Sequence, residues 1–166
     1  MKETLNTPRL ILREINLNDA PFIFELMNSE GWIEFIGDRG IHNIENAKKY
    51  IKENYIKSYK ENGYGAYLLQ EKNDNALLGM CGLFNRPQLE DVDIGFALLP
   101  EYHGKGYAFE AATTVLEYAI KVLQIDRITA ITTFENKSSQ KLLEKIGFHF
   151  ERPIIFDKEE LMFFSN

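Results

Sequence analysis

The chain has 166 residues, a formal net charge of −6 and a hydrophobic content of 45%. At this length and composition we expect a folded protein with one domain covering residues 1–166. The negative charge argues against non-specific nucleic-acid binding, which needs a basic surface to release phosphate counterions. An acidic surface could attract a cationic amine, or it could serve solubility alone, and composition leaves both readings open.

Cysteine and histidine limit the possible chemistry further. Cys81 is the only cysteine, which excludes an internal disulfide and a cysteine metal cluster, and we expect it to be a packed core thiol rather than an acyl carrier. His42, His103 and His149 show no metal-ligand spacing, so no metal is expected. Residues 1–9 lack the apolar stretch of a signal peptide, and no apolar run could span a bilayer. We therefore expect a cytoplasmic protein without membrane contact.

The apolar spacing predicts alternating strands and helices along the chain. In order, these are a strand over 9–14, a helix from 19 that buries Phe22, Ile23, Leu26 and Met27, an irregular region over 31–44, a helix over 44–60, strands over 64–71, 76–84 and 91–99, a helix over 106–123, a strand over 127–133, a helix over 136–146, and final strands over 148–151 and 161–164. The helix over 106–123 carries an apolar stripe of Ala108, Ala111, Ala112, Val115, Leu116, Ala119, Ile120 and Leu123.

The strand–helix–strand unit over 91–133 predicts a parallel pair of strands, whereas the other connections favour antiparallel pairing. The expected fold class is therefore α/β, with one mixed, mainly antiparallel sheet and helices on both faces.

The most informative segment runs from Leu98 through a glycine turn into the long helix. A helix N-terminus offers unpaired N–H groups and partial positive charge to phosphates, and Gly104 and Gly106 let the backbone approach a ligand. The glycines could also serve only a tight turn. A Rossmann turn is excluded because Phe109 stands where the third glycine is needed, and a P-loop is excluded because Lys105 is followed by glycine.

This segment resembles the acyl-CoA signature of the GNAT acetyltransferase superfamily, Arg/Gln-x-x-Gly-x-Gly/Ala. His103, Gly106 and Ala108 stand at its three positions, with histidine replacing the usual Arg or Gln. Three further motifs resemble the family and its RimJ/RimL-like branch: the first strand Thr7–Arg13, the fourth strand Asp93–Phe96, and the Asn-x-x-Ser helix that begins at Asn136 and is followed by Gly147-Phe148. Together the motifs cover nearly the whole chain.

The resemblance implies acetyl-CoA as acyl donor, bound between splayed fourth and fifth strands (91–99 and 127–133). The backbone of Phe96, Ala97 and Leu98 would pair with the pantetheine arm as a sheet edge pairs with an added strand. Backbone amides of the glycine turn would hold the pyrophosphate, which implicates His103, Gly104, Lys105, Gly106, Tyr107 and Ala108.

Acetyl transfer to an amine requires proton removal from the amine and a proton for the departing thiolate. Asp93 replaces the glutamate that often acts as base in this family. Asp93 would take the proton from the amine directly or through a water. It could also be only an exposed carboxylate at the end of the strand. Glu90 and Asp91 are nearby candidates for the same role. Leu143 stands where many family members have a proton-donating tyrosine, so the resemblance assigns that task to Ser139. Asn136 would contact pantetheine or a water, or act as helix cap alone.

The acceptor side is less well defined by the sequence. Trp32 and Phe35, near Ile36, Asp38 and Arg39, either bind the acceptor or cap the core. The resemblance implies an N-acetyltransferase acting on a primary amine, either a protein N-terminus or a small molecule, and a homodimer as a family-level expectation. Two alternatives stay open, namely a catalytically weak acyl-CoA-binding or sensing module and a nucleotide-binding protein.

Overall fold

Eight strands form one sheet in the computed structural model, which describes residues 4–166. The strands are β1 (Leu5–Asn6), β2 (Leu10–Glu14), β3 (Ala66–Glu71), β4 (Leu77–Phe84), β5 (Asp93–Leu98), β6 (Thr129–Thr132), β7 (His149–Phe156) and β8 (Glu159–Ser165). Their order across the sheet is β1-β2-β3-β4-β5-β6-β8-β7. Neighbouring strands are antiparallel except β5 and β6, which are parallel. The mixed, mainly antiparallel sheet predicted from the sequence is therefore confirmed.

Six α-helices within residues 4–166 flank the sheet. They are α1 (Ala20–Met27), α2 (Glu30–Phe35), α3 (Ile44–Tyr50), α4 (Lys57–Asn62), α5 (Tyr107–Lys121) and α6 (Lys137–Lys145). A π-helical segment, Ile51–Ile56, joins α3 to α4, so the predicted helix over 44–60 is present with a widened middle. Gly63 ends it in the left-handed conformation, at φ +77°.

Two buried clusters fill the two faces of the sheet, as expected for strands covered on both sides. One face packs Leu10, Leu12, Tyr67 and Leu69 against Ala111, Ala112 and Val115 of α5. The other packs Leu68 and Met80 against α1, whose inward residues are the predicted Phe22, Ile23, Leu26 and Met27. These packed helices fix the ends of β4, β5 and β6, where the candidate site lies.

The parallel strands β5 and β6 separate soon after they meet. Asp93 and Thr129 are their one paired position, while β5 stays paired with β4 along its whole length, from Asp93 to Leu98. A gap therefore opens between β5 and β6 beyond Asp93, and it faces the N-terminus of α5.

Two details differ from the sequence prediction. Ile120 of the predicted apolar stripe is 39% exposed and Tyr118 is buried instead, because the buried face of α5 runs through Ala111, Val115, Tyr118 and Ala119, at helical intervals of three and four residues. The final hairpin is also longer than predicted. The predicted strand ended at residue 151, whereas β7 continues through Pro153, because β7 lies at the edge of the sheet, where a missing N–H donor is tolerated.

Candidate active site

A single cleft of about 1180 Å³ runs between the gap, the start of α5 and the first helices. It is lined by most of the residues singled out from the sequence: Trp32, Phe35, Asp93, Phe96, Ala97, Leu98, His103, Gly104, Gly106, Tyr107, Ala108, Asn136 and Ser139. The fold thus brings together residues more than a hundred positions apart. Lys105 is outside this lining, and its carbonyl oxygen accepts a hydrogen bond from Arg9 instead.

The glycine turn has the geometry of an anion cradle. Gly104 and Gly106 have φ of +73° and +82°, a region that side chains with a Cβ rarely adopt. Gly106 directly precedes the first residue of α5, Tyr107, so the unpaired N–H groups of the helix start point out of the turn. An ideal Cβ on Gly106 would lie 3.3 Å from Arg9 Nη2, which leaves little room for a larger residue.

Arg9 braces this turn, a role that the sequence analysis did not assign to it. Its Nε donates to Glu110 Oε2 (2.7 Å), its Nη1 donates to the Lys105 carbonyl (2.9 Å), and its guanidinium lies 4.2 Å from the Tyr107 ring centroid. Burial alone would raise the pKa of the Glu110 carboxyl, but hydrogen bonds from Thr7 and Arg9 outweigh burial and lower it. The Glu110 carboxyl that pairs with Arg9 is therefore ionised at neutral pH. In the sequence, only the position of Arg9 in the Thr7–Arg13 motif could have indicated this role.

The open edge of β5 presents alternate backbone groups to the gap. Leu99 N–H donates to Leu78 on β4, while the Val92 carbonyl accepts from Thr129 on β6. Because hydrogen-bonding direction alternates along a strand, Phe96 and Leu98 face the gap and Ala97 faces β4.

The His103 side chain forms a hydrogen bond with one of these gap-facing backbone groups. Its Nε2–H donates to the Leu98 carbonyl oxygen at 3.0 Å, a contact that requires the Nε2-protonated tautomer. Among the described residues, the Leu98 N–H and both backbone groups of Phe96 then have no hydrogen-bond partner at the gap. The histidine that replaces the usual Arg or Gln thus contacts β5.

Asp93 lies where the two strands separate, and it is only 1% exposed. The reading of Asp93 as an exposed strand-end carboxylate is therefore wrong. Arg86 Nε donates to both of its oxygens, at 3.0 and 3.1 Å. Burial raises the pKa of Asp93 from 3.8 to about 6, against the opposing effect of the Arg86 charge. A carboxylate with such a pKa is ionised at pH 7 and can still accept a proton.

The start of α6 supplies the other polar groups of the cleft. Asn136 is the helix cap, since its Oδ1 accepts from Ser139 N–H at 3.2 Å. Within residues 4–166 the Asn136 amide nitrogen Nδ2 makes no hydrogen bond, so capping leaves a donor for a ligand. The Ser139 hydroxyl is likewise without a protein partner in the described chain.

The acceptor-side residues form an aromatic wall at the other end of the cleft. Trp32 is 6% exposed and Phe35 is half-buried, and both lie on α2. The indole Nε1 of Trp32 is buried without a hydrogen-bond partner among the described residues. Arg86 adds a cation between two more rings, with 5.1 Å to the Phe84 centroid and 5.9 Å to that of Phe156.

Residues 4–166 give no support to a cysteine nucleophile, a metal centre or a membrane-spanning helix. Cys81 is fully buried, and burial raises the pKa of its thiol far above the usual range, which makes it a poor nucleophile. No group of three or more acidic, histidine or cysteine side chains in this part of the chain is arranged to hold a metal ion. None of its helices combines the length and apolar character needed to cross a membrane.

Comparisons with known proteins agree with the motifs. The acetyltransferase (GNAT) domain family matches residues 9–149. The uncharacterized N-acetyltransferase YoaA of Bacillus subtilis is 30% identical over 148 residues, which cover 89% of this chain and 83% of YoaA. The spermidine N(1)-acetyltransferase of Vibrio cholerae is 23% identical over 141 residues, which cover 84% of this chain and 79% of that protein.

The fold also matches solved structures. RimL, a ribosomal L7/L12 alpha-N-protein acetyltransferase solved in complex with coenzyme A, has a TM-score of 0.82 and 16% identity, covering 99% of this chain and 97% of RimL. At that identity the likeness concerns the fold alone. The family match, by contrast, spans most of the sequence, including the glycine turn and the Asn136–Ser139 helix start. The chain belongs to the GNAT acetyltransferase family.

Proposed function

We propose that this protein transfers acetyl from acetyl-CoA, the acyl donor of the GNAT family, to a primary amine. The observation that carries the proposal is the continuous cleft that joins an open β5 edge to the positive-φ glycine turn. The pantetheine arm is a chain of amides and the pyrophosphate is a dianion, so the two halves of the cleft match two parts of one ligand.

The donor would be held mainly by backbone groups. Amides from Gly104 to Ala108 would bind the pyrophosphate, and Arg9 would keep that turn in shape. The free groups of Phe96 and Leu98 would pair with pantetheine, and the Asn136 Nδ2 donor would add a contact from α6.

Proton transfer would be divided between two side chains in the same cleft. Ionised Asp93 would accept the amine proton, directly or through a water, since its pKa of about 6 leaves it charged at pH 7. The Ser139 hydroxyl would donate to the departing thiolate. A backbone N–H of β5 near Leu98 would stabilise the charge that develops on the thioester oxygen. Trp32 and Phe35 would form the acceptor wall.

The test is release of free thiol from acetyl-CoA in the presence of a panel of primary amines and of peptides with free N-termini. We expect turnover that depends on the amine, with acetylated product detected by mass. Binding of acetyl-CoA without turnover on any acceptor would instead support the sensing-module alternative. The homodimer stays a prediction, which sedimentation of the purified chain measures directly.

A further inference from the structure

The guanidinium of Arg86 contacts the Asp93 carboxylate in the cleft lining. Its Nε–H reaches both carboxylate oxygens, at 3.0 Å from Oδ1 and 3.1 Å from Oδ2. A carboxylate has about four lone-pair sites, and within residues 4–166 the donors to them are this N–H and the backbone N–H of Asp93 itself. The contact therefore fixes the direction of the carboxylate and still leaves acceptor sites for an amine or a water.

Two aromatic rings and a neighbouring hydrogen bond fix the position of Arg86. Its guanidinium carbon lies 5.1 Å from the ring centroid of Phe84, at the end of β4, and 5.9 Å from that of Phe156, at the end of β7. Both distances are within the range of cation–π contacts. Gln88 of the same loop donates from Nε2 to Asp157 Oδ1 at 3.1 Å, in the turn of the final hairpin. The final hairpin therefore helps to keep the Arg86 loop in place.

Arg86 is the charged group that acts on Asp93. Burial raises the pKa of Asp93 to about 6, while the charge and the hydrogen bond of Arg86 act in the opposite direction, and no other charged side chain of the described residues contributes to the shift. The residues that face Asp93 on the neighbouring strands, Phe84 and Thr129, are uncharged. Tyr55 interacts with the charge of Arg86 but stays neutral, because burial raises its pKa well above the usual range. Without Arg86 the effect of burial would be unopposed, and Asp93 would keep its proton to a higher pH.

Resting on the proposed function, we propose that Arg86 is a positioning residue, held by Phe84 and Phe156, that keeps the Asp93 carboxylate ionised and oriented where β5 and β6 separate. It acts through Asp93 and does not need to touch the substrate. A buried carboxylate that lacks a partner takes up a proton rather than staying charged. Because Arg86 prevents this at neutral pH, Asp93 enters the reaction as the base.

The first measurement follows the Asp93 carboxyl itself and does not depend on turnover. Carbon-13 shifts of labelled aspartate report the titration, and Asp93→Asn identifies the signal. In the unaltered protein the midpoint should lie near pH 6. Arg86→Met should raise it by about 1–3 pH units, the effect of an opposite charge on a nearby carboxyl. Arg86→Lys keeps a cation without the guanidinium geometry, so it should raise the midpoint by less.

The second measurement is the pH dependence of kcat/KM. Dividing the value for Arg86→Met by that for the unaltered protein cancels the titration of the amine, which is common to both. If the Asp93 midpoint moves to about 8, this ratio should be about 0.1 at pH 7 and return close to one at pH 9. Phe156→Leu removes one of the two rings that hold Arg86, so it should change the profile in the same direction by less. A purely structural role would instead lower the activity equally at every pH.

Arg127→Met is the matched control. Arg127 Nε also donates to an aspartate, Asp91 Oδ2 at 2.9 Å, but the two side chains are 48% and 36% exposed and lie outside the cleft lining. Its loss should leave both the Asp93 midpoint and the pH profile unchanged.

The inference is overturned if the Asp93 midpoint stays near pH 6 in Arg86→Met, or if this variant loses activity by the same factor at every pH. If Arg86→Met does not fold, Arg86→Lys and Phe156→Leu are judged by the same two outcomes. The absence of turnover on every amine, with the Asp93 midpoint raised as expected, would refute the proposed acetyltransferase function while upholding the action of Arg86 on Asp93.

Discussion

Replacing Asp93 with asparagine removes the one buried carboxylate that residues 4–166 contribute to the cleft lining, while keeping its size. If ionised Asp93 accepts the amine proton, kcat/KM at pH 7 should fall by about 100-fold or more, the usual contribution of a general base. Asparagine still offers an oxygen to Arg86 Nε, so the local packing should survive. Thermal unfolding of the variant checks that it does.

The pH dependence makes the prediction sharper. The pKa of Asp93 is raised to about 6 by burial, so the base is ionised above pH 6 and protonated below it. The neutral fraction of an α-amine also falls about tenfold for each pH unit below ~8. The logarithm of kcat/KM should therefore rise with slope 1 between pH 6 and 8 and with slope 2 below pH 6. From pH 7 to pH 5 the loss is about 1000-fold with Asp93 and about 100-fold with asparagine.

The assay follows loss of the thioester absorbance, which needs no reagent whose own reactivity changes with pH. Asp91→Asn is the matched control. Asp91 lies two residues away and forms a partly exposed ion pair with Arg127 (2.9 Å), so its profile should keep slope 2 below pH 6. If Asp93→Asn keeps both its activity and its slope of 2, the assignment of Asp93 as base is wrong.

Four other substitutions, one of them a control, test the donor side. Gly106→Ala and its control Gly147→Ala both place alanine at positive φ (+82° and +99°), so each should lower the free energy of unfolding by about 1–2 kcal/mol. Only Gly106→Ala should also weaken acetyl-CoA binding, by about tenfold in calorimetry. Arg9→Met should raise the KM for acetyl-CoA several-fold with little change in kcat, because it loosens the turn; an unchanged KM would contradict the brace. Ser139→Ala should lower kcat by about 100-fold. It should not destabilise α6, because the Asn136 cap uses the backbone N–H of residue 139. A kcat within twofold of that of the unaltered protein would refute the proton-donor role.

Much of the fold was predictable because local signals agreed with the tertiary structure. The glycine turn, the burial of α1 and the parallel pair of β5 and β6 all follow from spacing and turn chemistry that the fold does not override. The final hairpin was harder, because its turn uses Asp157 and Lys158 at positive φ rather than a glycine.

The site was predictable only in part, for a different reason. Motif positions identified Asp93, but its burial and its pKa depend on Arg86, a loop residue that no local pattern distinguishes. The same holds for Arg9, whose partners Lys105 and Glu110 lie about a hundred positions away. Contacts between distant segments set the electrostatics, and a single sequence does not display them.

Calorimetry with acetyl-CoA, ATP and NAD as separate ligands tests the central claim most directly. If the glycine turn and the open β5 edge bind one ligand, acetyl-CoA should bind with a dissociation constant in the micromolar range, and each nucleotide at least ~10-fold more weakly, because neither has a pantetheine arm to pair with Phe96 and Leu98. Equal or tighter binding of ATP or NAD would contradict the account and favour a nucleotide-binding protein.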